Sequence, residues 1–360
     1  MAKIWRLLDP GPLQAWRQMA LDAVVIRARS ENRVPDTIRF MEFSPHTALV
    51  GYHQAIDLEI RRDVCEELGI EYNRRMTGGG AIYMDSRQLG WEICIGRDNP
   101  ALATDPGQIY RQLSAVVIET LSQFGIQANF RPVNDVEVGG RKISGTGGTE
   151  WGEALIYQGT LLVDFDVETM LKVLRLPIQK LSDKEVSSFR QRTVTLHELL
   201  GEAPPMEQVK AAMVSALETV LQVKAEPENL TAEELKEWEE IQENYRQPDW
   251  IDRRKPPRSG HEMVSASFKA PGGMIKASLV VDPAAKRIRR AFLTGDFFVY
   301  PERAVMDLEA VLKEAPADLG RLYQLVQNHY AEGNRYFGVQ VDDWINVFEQ
   351  ALNHSFSTSQ

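Results

Sequence analysis

The sequence predicts an α+β protein, with a mixed β-sheet flanked by helices and a small α+β accessory domain after it. Segments with the two-residue period of strands alternate with segments of helical period over the first two thirds of the 360 residues. A run rich in proline and charge then marks a change in composition at 247–257. We therefore expect a catalytic domain over 1–246, a linker over 247–260 and an accessory domain over 261–360.

The N-terminal part alternates strand and helix signals. Apolar residues repeat every three or four positions in 12–30 and in 106–124, which predicts two buried helices. Strands are expected at 3–8, 37–43 and 48–52, and the strands at 81–83 and 89–95 are expected to pair with each other. Cys65 is placed on a short helix over 57–69, and Cys94 on a buried strand.

Residues 134–148 predict a strand, a turn at Gly139-Gly140, a second strand and then a glycine-rich loop. A strand follows at 154–163. The motif Thr231…Glu234 predicts a capping box that opens a helix over 231–245, after another helix over 206–223. In the accessory domain the expected strands lie near 262–270, 274–282 and 286–294, and the expected helices at 301–314, 318–331 and 340–352.

Composition excludes several classes of protein. A formal net charge of −10 argues against a nucleic-acid partner, which requires a basic surface. The six histidines and two cysteines lack the spacing of a zinc site, and two cysteines alone indicate a reducing compartment. No apolar run approaches the length of a membrane span, so we expect a cytoplasmic protein.

Two glycine-flanked segments carry cations. Arg74 and Arg75 precede the triplet Gly78–Gly80, and Arg141 and Lys142 follow Gly139-Gly140. Neither segment matches a P-loop or a dinucleotide-binding fingerprint. Taken alone, the first segment is most simply a charged hairpin turn and Lys142 a solvated lysine at a strand end, but backbone N–H groups of glycine loops also approach phosphates closely.

A set of ordered motifs resembles the lipoate–protein ligase family of the biotin/lipoate ligase superfamily. The motifs are RRMTGGGAIYMD at 74–85, NDVEVGGRKISG at 134–145 and YQGTLLVD at 157–164, with MALD at 19–22, Arg39-Phe40 and VTLHELLG at 194–201. The resemblance covers roughly 1–245, and 262–314 resemble the accessory domain of ligases that activate lipoate themselves. Met84 departs from the family, which often has histidine there.

The resemblance implies an ATP-dependent enzyme that converts lipoate to lipoyl-AMP and transfers the lipoyl group to a lysine of an acceptor protein. It implies a monomer, with Mg²⁺, and as acceptor a glycine-cleavage H-like protein or an E2 lipoyl domain. It makes Lys142 the catalytic residue, acting as an electrostatic anchor without an acyl-enzyme. The residues implied to bind ATP or substrate are Arg74, Arg75, Gly78, Gly79, Gly80, Ala81, Ile82, Tyr83, Asn134, Asp135, Lys142, Gly159 and Thr160. Asp135 is also the candidate Mg²⁺ ligand.

Alternatives stay open within and outside the superfamily. Its octanoyltransferases use no ATP and pass the acyl group through a cysteine thioester, but neither Cys65 nor Cys94 lies at their nucleophile position downstream of the lysine motif. A non-catalytic relative that binds lipoyl proteins is a second alternative, and biotin ligase is a weaker one. We further expect the loop after Lys142 to act as a lid, and the accessory domain to rotate about the linker.

Overall fold

The computed structural model describes residues 3–100, 103, 106–132, 134–175, 183–257 and 263–357. The chain divides into two compact units. Unit 1 contains Met1–Val50, Glu59–Thr77 and Ala81–Ile251, and unit 2 contains Gly51–Leu58, Gly78–Gly80 and Asp252–Gln360. Two short segments of the N-terminal half, including the glycine triplet, therefore belong to the same unit as the C-terminal residues.

Residues 3–251 alternate strands and helices as the sequence predicts. The strands are β1 (Lys3–Leu8), β2 (Pro12–Leu13), β3 (Thr37–Phe43), β4 (Thr47–Val50), β5 (Glu71–Arg74), β6 (Ile82–Met84), β7 (Gln88–Gly96), β8 (Asn129–Arg131), β9 (Asp135–Val138), β10 (Arg141–Trp151), β11 (Ala154–Leu162) and β12 (Val223–Pro227). The helices are α1 (Ala15–Ser30), α2 (Ile56–Glu59), α3 (Arg62–Leu68), α4 (Pro106–Ser122), α5 (Val167–Val173), α6 (Asp183–Arg190), α7 (Leu196–Leu200), α8 (Met206–Leu221), α9 (Ala232–Ile241) and α10 (Pro248–Ile251), with a 3-10 turn at Gln242–Arg246.

A nine-stranded mixed sheet forms the framework of unit 1. Its order is β12-β1-β3-β7-β11-β10-β9-β8, with β2 paired to β3. One face carries the main apolar core, where side chains of β7 and β11 pack with those of α4 and α8. The other face is covered by α1, whose side chains form a second cluster with residues of β7 and β11. The fold class expected from the sequence, a mixed sheet flanked by helices, is thus confirmed.

A separate three-stranded sheet contains the first glycine-flanked motif. Its order is β5-β4-β6, so β4 lies between the two strands on either side of the glycine triplet. The expected pairing of 81–83 with 89–95 is wrong, because β6 pairs with β4 while β7 pairs with β3 and β11. The turn between β6 and β7 contains Asp85, and no sequence pattern shows that the chain changes sheets there.

The expected glycine-rich loop after Lys142 is also wrong. Residues Arg141–Trp151 form one continuous strand, β10, and residues Gly145, Gly147 and Gly148 pair with Thr160, Gln158 and Tyr157 of β11. Glycine inside a strand weakens it on its own, but here β11 pairs with all three glycines and β9 pairs with Gly145 as well. Because this segment is part of a sheet, the expected lid over the site is not there.

Unit 2 contains a four-stranded antiparallel sheet covered by helices. Its elements are β13 (Met263–Ala270), β14 (Gly273–Asp282), β15 (Arg287–Gly295), β16 (Val299–Tyr300), α11 (Ala304–Leu312), β17 (Ala315–Pro316), α12 (Leu319–Ala331), β18 (Arg335–Tyr336) and α13 (Val341–Ser357). The sheet order is β13-β14-β15-β17, and β16 pairs with β18. Trp344 and Phe348 of α13 are fully buried in its core.

Helix ends follow the capping chemistry of the sequence. Thr231 accepts from the backbone N–H of Glu234, and the Glu234 carboxylate accepts from the backbone N–H of Thr231, so the predicted capping box is present. Within the expected linker, residues Pro248–Ile251 form the short helix α10. The boundaries of the expected domains remain a prediction.

Candidate functional site

The backbone of Lys142 is held on both sides. Lys142 lies at the start of β10, opposite Glu137 of β9. On its other side, its N–H donates to the carbonyl of Arg192, and its carbonyl accepts from the N–H of Val194 at 2.9 Å. Through these bonds, the residues just before α7 pair with the first residues of β10. The motif at 194–201 therefore contributes to the site by fixing the backbone position of Lys142.

The Lys142 side chain ends beside a carboxylate. Its Nζ lies 2.7 Å from Oδ1 of Asp135, and the two side chains are 39% and 22% exposed. The contact is an ion pair without hydrogen-bond alignment, since buried Asp135 Oδ1 has no hydrogen-bond donor among the described residues. A Cβ added at Gly145 would lie 2.6 Å from Lys142 Nζ and 2.7 Å from its Cε. The lysine side chain therefore lies in the space that a side chain at position 145 would occupy.

The pairing of β10 and β11 shows which residues share the face of Lys142. Gly145 lies opposite Thr160, and residues directly opposite in antiparallel strands point to the same face. Because strand side chains alternate, Gln158 points to this face too. Lys142 Nζ, Thr160 and Gln158 thus lie on one face, which is the face covered by α1.

A buried polar network continues along this face. Arg39, Glu92 and Gln158 lie side by side on β3, β7 and β11. The Arg39 guanidinium donates to Glu92 at 3.0 Å and to Asp22 of α1. Gln158 Nε2 donates to Asp22 Oδ2 at 2.8 Å and to Glu92 Oε2 at 2.6 Å. One arginine and one amide therefore bind two carboxylates away from water.

This network contains two carboxylic acids, Asp22 and Glu92, but one cation, Arg39. Burial raises the pKa of Asp22 to about 7; Arg39 opposes the rise, and the neighbouring Glu92 adds to it. The sequence contained both members of its central pair, in MALD and in Arg39-Phe40, but their roles were missed. The signal was an acid inside an apolar helical stripe and an arginine inside a buried strand, which both require partners.

Two of the predicted residues have structural contacts on other sides. A Cβ at Gly159 would lie 2.4 Å from the Trp91 indole, so Gly159 faces the apolar core, opposite to Lys142. Asn134 Nδ2 donates to the carbonyl of Thr146 at 2.6 Å, and the Asn134 carbonyl accepts from the Thr146 N–H. Asn134 therefore fixes β10 next to Asp135.

The arginines of the first motif differ in their surroundings. Arg74 is fully buried, and its guanidinium donates to the carbonyls of Trp250 and Ile251 at 3.2 and 3.0 Å. It thus holds the end of α10. Arg75 is half-buried, and burial lowers the pKa of its guanidinium to about 10. Because burial destabilises the charged form of Arg75, a nearby anion would stabilise it.

The residues after the triplet lie along β4. Tyr83 is buried, and its hydroxyl lies 3.0 Å from His46 Nδ1. Ala81 and Ile82 are half-buried, and Ile82 packs against an apolar cluster. Met84 lies in that same cluster. The departure from the family pattern at Met84 therefore places an apolar side chain in an apolar environment.

The glycine triplet itself belongs to unit 2. Gly79 has a φ of +94°, a left-handed backbone that favours glycine. A Cβ at Gly78 would lie 2.9 Å from the Phe297 carbonyl oxygen, and one at Gly80 would lie 3.4 Å from Cβ of Asp296. The triplet thus passes close to the residues that follow β15.

Both thiols of the chain are deeply buried. Cys65 and Cys94 have no exposed surface. Burial raises the pKa of Cys65 to about 11 and that of Cys94 well above its ordinary value, with neighbouring carboxylates adding to both shifts. A thiolate is the nucleophilic form of cysteine, so neither thiol is activated.

The described residues contain no cluster of three or more histidine, cysteine, aspartate or glutamate side chains arranged to bind a metal. Mg²⁺ that arrives with a nucleotide needs only one or two protein carboxylates, because phosphates and water complete its octahedron. Asp135 Oδ1 fits this requirement, since it is oriented beside Lys142 and has no hydrogen-bond donor within the described part of the chain.

Within the described ranges, none of the helices combines the length and the apolar character needed to cross a bilayer.

Comparison with known proteins finds relatives in sequence and solved structures with a similar fold. An octanoyltransferase LipM of Geobacillus kaustophilus is 28% identical in an alignment 279 residues long that covers 71% of this chain and all of the relative. The LipM of Bacillus subtilis is 26% identical over 64% of this chain and 91% of the relative. The structure of Plasmodium falciparum LipL1 in complex with lipoate has a TM-score of 0.69 at 15% identity, and covers 91% of this chain and 97% of that one.

An archaeal bipartite lipoate protein ligase from Thermoplasma acidophilum, solved in a study that includes its E2 lipoyl domain, shares the fold. Its TM-score is 0.61 at 22% identity, covering 71% of this chain and 98% of that chain. The family model of the lipoyl protein ligase A/B catalytic domain matches residues 14–218, more than half of the sequence. This chain therefore belongs to the lipoyl protein ligase A/B catalytic domain family.

Proposed function

We propose that this protein is an ATP-dependent lipoate–protein ligase, which forms lipoyl-AMP and transfers the lipoyl group to a lysine of an acceptor protein. The observation that carries the proposal is the position of Lys142. Its side chain is half-exposed, and its backbone is fixed by hydrogen bonds on both sides. Its ammonium group pairs with Asp135 Oδ1, which accepts no hydrogen bond from any described residue.

Such a lysine can exchange its partner for a reacting anion. In the first step a lipoate carboxylate oxygen attacks the α-phosphorus of ATP, and the bond to pyrophosphate breaks. In the second step the neutral amine of the acceptor lysine attacks the acyl carbonyl, loses a proton, and AMP leaves. Negative charge develops on phosphate and then on the carbonyl oxygen, and the Lys142 ammonium is suited to stabilise both.

Asp135 has two roles in this proposal. As the ion-pair partner it holds Lys142 Nζ over Gly145 before substrate binds. As a carboxylate it is the residue of this chain that would hold Mg²⁺, which when bound neutralises phosphate charge. The other predicted contacts to ATP or substrate, by Arg74, Arg75, the backbone of 78–83, Asn134, Gly159 and Thr160, remain part of the proposal.

The state of the two thiols favours this ligase over the cysteine-dependent route. A transferase that forms an acyl thioester needs an accessible thiolate, whereas Cys65 and Cys94 are buried and their pKa values are raised. Adenylation needs no protein nucleophile, because the acyl phosphate bond to AMP supplies the activated acyl group.

A second candidate is octanoyl transfer without ATP, favoured by the relatives named octanoyltransferase that match this chain over their whole length. An E2 lipoyl domain accompanies the archaeal ligase of the same fold. We extend that to propose a lipoyl domain, of an E2 subunit or of a glycine-cleavage H-like protein, as the acceptor here.

Lipoate-dependent exchange of pyrophosphate into ATP tests the proposal. The wild-type protein should catalyse exchange, and Lys142→Ala should lower its rate by about 100-fold or more because one preorganised charge is lost. Cys65→Ala and Cys94→Ala should keep the exchange rate within about threefold. Circular dichroism and thermal unfolding show whether each variant is folded.

The same acceptor lipoyl domain distinguishes the two candidates. If an octanoyl thioester modifies it without ATP, and if cysteine substitution abolishes that reaction while no exchange is seen, the ligase is excluded in favour of the transferase. Absence of both reactions, with tight binding of a lipoylated domain, would identify a non-catalytic relative.

A further inference from the structure

A strongly basic cavity lies within unit 2, and none of the residues assigned above lines it. Its volume is about 330 Å³, and its lining residues all belong to residues 253–313. They are Arg253, Arg254, Lys255, Pro257, Arg290, Ala291, Phe292, Glu309, Ala310 and Lys313. Five of these ten are cations and one is an acid, in a protein whose formal net charge is −10. This local reversal of charge requires an explanation.

The single acid of the cavity is already neutralised. Arg254 is 8% exposed and donates through both terminal nitrogens to the Glu309 carboxylate. Glu309 also accepts from the backbone N–H of Leu293 at 2.6 Å. The Arg254 guanidinium lies 4.9 Å from the centre of the Phe292 ring, and its buried Nε has no hydrogen-bond partner in the described part of the chain. This pair builds a rigid floor of zero net charge.

The remaining cations surround that floor from three elements. Arg290 lies on β15 and Lys313 follows α11, and both are exposed. Neither forms an ion pair or a side-chain hydrogen bond with any other described residue. The nearby Glu314 pairs with Arg289 at 2.7 Å and so does not neutralise Lys313. Lys255 pairs with Asp252 yet remains 57% exposed.

Arg253 completes the rim. Its guanidinium lies 4.3 Å from the centre of the Tyr52 ring, which orients it by a cation–π contact. Two cations such as Arg290 and Lys313 around one concavity attract an anion more strongly than isolated cations do, because low-dielectric walls concentrate their field. A guanidinium group can additionally donate two parallel hydrogen bonds to two oxygens of one phosphate.

We infer that this cavity is a binding site for a small phosphorylated anion, held by Arg290 and Lys313 at the rim. A volume of about 330 Å³ lies at the small end of ligand pockets, which suits a di- or triphosphate group and not the surface of a folded domain. The apolar patch of Ala291, Phe292 and Ala310 would accept a non-polar part of the same ligand. The inference is independent of the proposed ligase reaction.

Inorganic pyrophosphate is the probe, with calorimetry on the full-length protein. The double variant Arg290→Ser/Lys313→Ser should weaken pyrophosphate binding by about tenfold or more, since it removes the two rim cations that form no ion pair with another described residue. The control Lys269→Ser/Arg321→Ser removes two exposed cations of the same unit that do not line the cavity, and should change Kd by less than about twofold. Arg290→Lys/Lys313→Arg should retain binding.

The test is repeated in the Lys142→Ala protein, so that pyrophosphate binding at the proposed ligase site does not contribute. The same loss in that background supports a distinct site. Equal binding by both double variants, or no binding by the wild type at 1 mM probe (about the weakest affinity of interest), overturns the inference. Binding of an oligoglutamate peptide but not of pyrophosphate, lost in the same double variant, overturns it in favour of an acidic protein segment.

Discussion

The two glycine-rich segments of this protein use glycine for different physical reasons. In unit 2, glycine lets two backbones approach: a Cβ at Gly51 would lie 2.0 Å from the carbonyl oxygen of Gly79, which itself has a φ of +94°. In β10 of unit 1, Gly145 leaves room for a side chain, because a Cβ there would displace the end of Lys142. Gly148 is an intermediate case, since a Cβ there would lie 2.9 Å from the Ile156 carbonyl oxygen and 3.3 Å from the Tyr110 hydroxyl.

This difference bears on how a site tolerates change. Backbone cannot move away from a new methyl group without shifting its neighbours, whereas the end of a lysine side chain can rotate. Substitutions near the triplet should therefore cost stability, and substitution at Gly145 should cost activity. Four substitutions separate these costs.

Gly51→Ala should have the largest effect. The new Cβ would lie 2.0 Å from the Gly79 oxygen and 3.0 Å from its carbonyl carbon, so the backbone must shift. We expect the free energy of unfolding of unit 2 to fall by about 3 kcal/mol, measured by thermal unfolding, and hydrogen exchange of the amides at 78–80 to accelerate.

Gly320→Ala is its control in the same unit. Gly320 lies in α12, where the nearest atom to a new Cβ is 3.4 Å away. Alanine is the better helix former, so stability should rise by about 0.5–1 kcal/mol. If Gly51→Ala is as stable as the wild type, close backbone contact at the triplet is not the reason for the glycine.

Gly145→Ala should come next, as a loss of activity. The added Cβ would lie 2.6 Å from Lys142 Nζ and would force it out of its position. Because Nζ now lies 2.7 Å from Asp135 Oδ1, this movement would also break the ion pair. We expect the lipoate-dependent exchange rate to fall by about 100-fold, equivalent to ~2.7 kcal/mol, with thermal stability changed by less than ~1 kcal/mol. A large loss of stability with normal exchange would contradict this assignment.

The sequence predicted the sheet, its flanking helices and the position of Lys142, because periodicity and ordered motifs are local signals. It did not predict that β6 pairs with β4, since strand partners are chosen by tertiary packing. Gly145 and Gly148 were placed in a loop because glycine disfavours strands in general. Their strand conformation depends on ladder partners from elsewhere in the chain: Gly145 pairs with both β9 and β11, and Gly148 pairs with β11.

The buried network was out of reach for a different reason. Asp22 and Arg39 stand 17 positions apart, and nothing in their spacing shows that they meet Glu92 and Gln158. The cavity of unit 2 likewise combines residues of three distant segments. Partners of buried charge are fixed by topology, which a local pattern does not contain.

Gly148→Ala tests a strand glycine that is close to both backbone and a side chain, without touching Lys142. Its Cβ would lie 2.9 Å from the Ile156 carbonyl oxygen and 3.3 Å from the Tyr110 hydroxyl. We expect a loss of about 1–2 kcal/mol in the stability of unit 1, while exchange activity changes by less than about threefold. Adding Tyr110→Phe removes the nearer side-chain oxygen and should restore part of the loss, whereas no recovery would assign the whole cost to the Ile156 carbonyl.

Gly139→Ala should have the smallest effect, because it involves backbone conformation alone. Gly139 has a φ of +58° at the turn between β9 and β10, and a Cβ there would meet no atom within 4 Å. The left-handed backbone costs an alanine about 1 kcal/mol, measured as a fall in thermal stability. Gly139→Asn should lose less, because asparagine tolerates this conformation better. Unchanged exchange activity in both would show that the hairpin turn, three residues before Lys142, is separable from the lysine; a loss comparable to Gly145→Ala would mean that the turn also positions it.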